Sequence, residues 1–157
     1  MATEIERKFL LDGSPDWLSG NESREIQQGY LVVSETDEVR LRQDGEVPRM
    51  TVKRGHGMAR EETEIELTAS QFAELWPLTE DRRVEKTRYL VPLEGGLTAE
   101  VDEYSGEFHG LLVVEVEFES EQAANDFVPP DWFGRDVTGQ RQYSNQRMAL
   151  EGGPPPA

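Results

Sequence analysis

Charged and apolar residues alternate along most of this chain. In EIERKFL, Glu4, Glu6 and Lys8 fall on one parity, with Ile5, Arg7 and Phe9 between and after them. In EVRLRQ, Arg40 and Arg42 oppose Val39 and Leu41; in MTVKRG, Thr51 and Lys53 oppose Met50 and Val52. Glu62, Glu64 and Glu66 of EETEIEL oppose Ile65 and Leu67, and Glu100 and Asp102 of AEVDEY oppose Val101. In VVEVEF, Val113, Glu115 and Glu117 oppose Val114, Val116 and Phe118. RRVEKTRYLV is less clean, because Lys86 and Arg88 share their parity with Val84 and Leu90. A repeat of two is the strand period. Turn signals separate the segments: GSPD, Asp44-Gly45, RGHGM, EGG at 94–96 and SGEFHG. Short turns between many strands predict a mainly β chain with an antiparallel core, a sandwich or a barrel.

Three helices are expected beside the strands. Thr68 and Gln71 form a capping box before ASQFAELW, whose Phe72, Leu75 and Trp76 share one face. Ser120 caps EQAANDF, which stops at Pro129-Pro130. QRQYSNQRMAL forms the third, with Gly152 as its stop.

A sheet with one wet face explains any single alternating strand. It explains seven less well, because their polar parity is largely Glu, Asp, Lys and Arg, with few neutral polar residues. A closed barrel with an oily interior would also leave the amphipathic helices with no surface to cover. Turning the sheet inside out removes both difficulties. The apolar faces then point outward under the helices, and the charges point into a lumen.

Composition narrows the chemistry. The chain has 157 residues, enough for one domain, expected over 1–151 with a Gly/Pro tail over 152–157. It has no Cys, so disulfides and thiolate sites are excluded, and a cytoplasmic setting is expected. No apolar run is long enough for a helical membrane span, and the acidic start does not read as a signal peptide. The net charge of −16 argues against nucleic acid and anionic membranes as partners. His56 and His109 lie in turns and receive no role.

Gathered carboxylates repel by roughly 4 kcal/mol per pair at about 4 Å near a surface. Glu4, Glu6, Asp102, Glu115 and Glu117 therefore require protons or a cation, and a hard divalent ion with oxygen ligands is the simplest. Lys8, Arg40, Arg42, Lys53, Lys86 and Arg88 require anions. A phosphate chain meets both needs: guanidinium groups fork onto phosphoryl oxygens while the carboxylates hold a bridging metal.

EIERKFL resembles the E-x-E-x-K signature of the CYTH superfamily, the triphosphate tunnel metalloenzymes. QQGYL, VRLRQ, MTVKRG, REETEIEL, RRVEKTRY, AEVDEYSG, LLVVEVEF and WFGRDVT follow in the order such proteins show, and the chain is similar to short bacterial inorganic triphosphatases. The resemblance implies an eight-stranded antiparallel β-barrel, a tunnel with a charged interior and peripheral helices. It implies hydrolysis of tripolyphosphate with Mg²⁺ or Mn²⁺. By position, Glu4, Glu6, Asp102, Glu115 and Glu117 match the metal-binding acids. Glu62 and Glu64 match an acidic strand that holds a second metal and orients water. Lys8, Arg40, Arg42, Lys53, Lys86 and Arg88 match the phosphate-binding set, and Tyr30 a tyrosine that pairs with the signature Lys8. GQRQYSN departs from the short relatives, with Gln140 and Gln142 flanking Arg141; its helix is expected to plug one mouth. A monomer or homodimer is expected. The alternatives are an adenylate cyclase or organic triphosphatase of the same superfamily, and a polyphosphate-binding module without turnover.

Overall fold

The computed structural model describes residues 5–55 and 61–152. Eight strands are present: β1 Ile5–Leu10, β2 Glu22–Val33, β3 Asp37–Gln43, β4 Arg49–Arg54, β5 Glu61–Glu66, β6 Arg83–Pro92, β7 Thr98–Tyr104 and β8 Leu112–Phe118. They form one antiparallel sheet in the order β1-β8-β7-β6-β2-β3-β4-β5. Three helices accompany them: α1 Ala69–Leu75, α2 Glu121–Asp126 and α3 Asn145–Glu151. None of the described helices is long and apolar enough to cross a membrane.

The expected inversion is present. Phe9, Ala99, Val101, Val114, Val116 and Phe118 form a buried cluster on the outer face of β1, β7 and β8. The segment after β8 covers it, with Ala124, Phe127 and Phe133 in the cluster and the Phe9 and Phe133 rings 4.9 Å apart. The opposite parity of the same strands carries Glu6, Lys8, Glu100, Glu115 and Glu117 into a cavity.

The expectation of a closed barrel holds only approximately, because β1 and β5 end the sheet unpaired with each other among the described residues. The edge of β1 facing away from β8 is already satisfied by residues 134–138. Lys8 and Leu10 donate their backbone N–H groups to Thr138 Oγ1 and the Arg135 carbonyl, and their carbonyls accept from Val137 and Gly134. A Cβ at Gly134 would lie 2.5 Å from the Leu10 oxygen, so only glycine lets the cover come this close. At the other end, every residue of β5 is exposed. Its four glutamates discourage pairing with another chain.

The helix signals hold for α1 and α2. Thr68 and Gln71 exchange both capping-box bonds, and Ser120 accepts from the Ala123 N–H. The third helix is shorter than expected. Arg141–Tyr143 form a single 3₁₀ turn, and Ser144 breaks in as the N-cap of α3 by accepting from the Arg147 N–H. Gly152, at φ 68°, ends it. α3 fills one end of the sheet's concave face, where Met148 and Ala149 pack with Tyr30, Val84, Tyr104 and Val113. Val84 and Val113 thus share parity with charged residues because they lie at the plugged end of the same face.

The turn after α1, Trp76–Thr79, sits on the outer side of β2 at Gly29. A Cβ there would stand 2.6 Å from Thr79 Cβ and 2.9 Å from the Trp76 ring. Gly29→Ala is expected to lower stability by about 1–3 kcal/mol through overpacking, read as a lower denaturation midpoint at unchanged slope.

Candidate functional site

The concave face holds a cavity of about 370 Å³ with a polar, mostly charged wall. Six carboxylates (Glu6, Glu38, Glu62, Glu100, Glu115, Glu117) and five cations (Lys8, Arg40, Arg42, Lys53, Arg88) line it, with Gln28, Tyr30, Ser144 and Asn145. The cavity is therefore close to neutral in a chain of net charge −16. Strand order sorts the charges. Neighbouring β1, β8 and β7 supply a mainly acidic wall with Lys8 in it, β6, β3 and β4 supply a mainly basic one with Glu38 in it, and Glu62 comes from β5.

The acidic wall sets like charges opposite one another. Glu6 is paired in register with Glu117 across β1 and β8, and Glu100 with Glu115 across β7 and β8. Directly opposed like charges destabilise a strand pair. Burial pushes the Glu100 carboxyl up; Arg88 opposes this, and Glu115 and Glu117 add to it. Lys8 partly relieves the wall, 3.4 Å from Glu115 Oε1, while its ammonium also donates to the Tyr143 carbonyl at 3.2 Å. No three carboxylates or histidines stand as a ready metal cage among the described residues. Oxygen donors crowded on one wall without a cage fit a hard cation that keeps waters and completes its shell with ligand oxygens. Glu6, Glu100, Glu115 and Glu117 line that wall and could hold such a cation.

The basic wall is only partly relieved. Among the described residues, the buried Arg40 Nε has no hydrogen-bond partner. Burial lowers the Arg42 guanidinium's pKa, and the nearby Arg40 and Arg88 lower it further. Arg42 Nε donates to Gln28 Oε1 at 2.8 Å, and Gln28 Nε2 donates to the Tyr30 hydroxyl at 2.8 Å. Arg88 is the best-anchored cation, forked onto Asp102 at 2.8 and 3.0 Å and 2.6 Å from Glu100. Burial alone would weaken the Arg88 cation, but these carboxylates outweigh it and raise its pKa.

Two expected residues lie beneath the cavity. Lys86 and Asp102 are fully buried and form an ion pair at 2.8 Å. Burial pushes Asp102 up, but Lys86 and Arg88 together hold it below the usual carboxylate range. Burial lowers Lys86, Asp102 resists this, and Arg88 adds to the lowering. We take the pair as ionised, because two cations converge on one carboxylate. Asn145 Oδ1 accepts from the Tyr104 hydroxyl at 2.6 Å and lies 3.4 Å from Lys86 Nζ, which ties α3 to this base. Glu64 is also engaged elsewhere, 3.3 Å from Arg49 and within 3.5 Å of the Thr51 hydroxyl. Tyr30 lines the cavity, but the bonds described for it and Lys8 run to Gln28 and to Tyr143 and Glu115 respectively. Glu4 lies outside the described residues.

Glu38, Gln28, Ser144 and Asn145 were not singled out from sequence. Glu38 shares the parity of Arg40 and Arg42 and was readable by twos; it accepts from Gln146 of α3 at 2.8 Å. Glu100 was seen on the parity of Asp102 without being given a role. Asn145 carries no strand signal, since it enters from a helix.

The family model described as CYTH domain matches residues 2–138. The chain is 47% identical over 149 residues to a protein of Nitrosomonas europaea named inorganic triphosphatase, covering 94% of this chain and 97% of that one. It is 37% identical over 150 residues to a protein of the same name from Acetivibrio thermocellus, covering 94% of each. A crystal structure of an inorganic triphosphatase superimposes with a TM-score of 0.79 at 46% identity, covering 96% of both chains.

Proposed function

Because this chain belongs to the CYTH domain family, we propose that it hydrolyses inorganic tripolyphosphate to diphosphate and phosphate in the charged cavity. The observation that carries this reading is the basic wall: Arg40 and Arg88 stand close enough to weaken the Arg42 cation, and Arg40 Nε lacks an acceptor among the described residues. A linear polyanion supplies acceptors to all of them at once.

Arg40, Arg42, Lys53 and Arg88 hold the phosphoryl oxygens and offset the charge that moves as the P–O bond breaks. Lys8 places a further cation on the acidic wall, where it stabilises a terminal phosphate. Glu6, Glu100, Glu115 and Glu117 would hold magnesium or manganese, which would supply Lewis-acid charge withdrawal. Glu62, on the far strand, orients the attacking water and accepts its proton. Asp102 and Lys86 act from beneath, by fixing Arg88 and the cavity floor. Cysteine-free composition supports a cytoplasmic setting, and the acidic surface supports a partner list without nucleic acid.

Phosphate release is expected to be much faster from tripolyphosphate than from ATP, and to require a divalent cation. Faster release from ATP, or cyclic AMP formation, would transfer the chain to the organic-triphosphate readings. Tight binding without turnover would favour the binding module.

A further inference from the structure

We propose that Gln28 is a positioning residue that turns the Tyr30 hydroxyl proton into the cavity, toward a phosphoryl oxygen. The proposal rests on the triphosphatase reading and adds a residue to it. β2 places positions 28 and 30 on one face, and register with β3 sets Arg42 opposite Gln28 and Arg40 opposite Tyr30. The Gln28 side chain is fully buried between Arg42 and Tyr30. An arginine nitrogen only donates, so the amide atom 2.8 Å from Arg42 Nε is the oxygen. The other end of the amide is then the NH₂ group, which donates to the Tyr30 oxygen at 2.8 Å. A phenol that accepts on that side must direct its own proton elsewhere. Tyr30 lines the cavity, and its surroundings at the α3 end are Val84, Tyr104 and Val113. Among the described residues no hydrogen bond runs from the Tyr30 hydroxyl to Tyr104 or to Glu38, whose carboxylate accepts from Gln146 at 2.8 Å, so its proton is left for a ligand in the cavity. Burial and the charge of Glu38 push Tyr30 up to about 12, so it stays a proton-bearing donor at neutral pH. Arg42, Gln28 and Tyr30 thus form a chain of donors running from a cation toward an anion, each link polarising the next.

The test is a double-mutant cycle of Gln28→Met and Tyr30→Phe, with Gln28→Glu as the discriminating variant. Tripolyphosphate turnover is measured with a divalent cation, and tripolyphosphate binding by calorimetry without one. Gln28→Met and Tyr30→Phe are each expected to lower kcat roughly tenfold, the scale of a hydrogen bond to a charged group. The double variant is expected to lose no more than Tyr30→Phe alone. Gln28→Glu still accepts from Arg42 but cannot donate to Tyr30, so it is not expected to restore kcat. Losses that multiply in the double variant, or wild-type kcat in Gln28→Glu, overturn the proposal. Circular dichroism checks folding; if Gln28→Met does not fold, the cycle is run with Gln28→Glu under the same criteria. A wild type that neither binds nor hydrolyses tripolyphosphate overturns the triphosphatase reading and this proposal with it. A wild type that does both while the losses multiply overturns this proposal alone.

Discussion

Asp102→Ala is expected to destabilise the fold by about 3–5 kcal/mol, the cost of leaving a buried partner charge uncompensated. Lys86 has no exposed side-chain surface, and Asp102 is its ion-pair partner at 2.8 Å. For a chain of this size the loss corresponds to a melting temperature lower by roughly 10 °C. Removing both charges with Lys86→Met and Asp102→Leu is expected to recover part of that loss, because no lysine cation is then stranded. The same pair sets an acid limb. Lys86 and Arg88 hold Asp102 below the ordinary aspartate range in the folded protein, so its contribution is complete above the unfolded pKa. That contribution is lost as the pH falls through the lower native value. Asp102→Asn is expected to flatten this part of the stability–pH curve, measured by urea unfolding from neutral pH downward. A wild-type curve in Asp102→Asn, or wild-type stability in Asp102→Ala, would contradict the buried pair.

Glu6→Gln is expected to lower turnover by roughly 10²-fold, the scale of losing one electrostatic element of an active site. Glu6 faces Glu117 directly across β1 and β8 on the acidic wall. The cation concentration needed for half-maximal rate should rise as well. Cation-dependent kinetics test both effects. Wild-type kinetics in the variant would show that the acidic wall does not hold the cation.

Much of this was legible by reading each strand in twos. Parity separated Glu6 and Lys8 from Ile5 and Phe9, and Glu115 and Glu117 from Val114 and Val116. The structure puts the first set in the cavity and the second in the outer core. Parity reports which face a residue takes, but not its height along the bore or its depth in the wall. Lys86 and Arg88 share a face, yet Lys86 is sealed under α3 while Arg88 reaches the cavity. Val84 looked like noise on a charged face because the plug it meets lies some sixty residues later in the chain. β2 was visible only through the QQGYL resemblance, since its buried face mixes Ile26, Gln28 and Tyr30 and its register slips between Tyr30 and Val32. The unclosed seam was hidden for a related reason. Residues 134–138 satisfy the edge of β1 through three backbone bonds and the Thr138 hydroxyl, an arrangement that no alternating pattern announces.

This strongly acidic protein gathers a few basic residues into an inward-facing anion site. Titrating tripolyphosphate into the wild type and into Arg40→Ala, by calorimetry without a divalent cation, measures this apart from catalysis. The account predicts one saturable site per chain in the wild type, weakened roughly tenfold or more when Arg40 is removed. Failure of the wild type to bind, or affinity unchanged by the loss of Arg40, would contradict it.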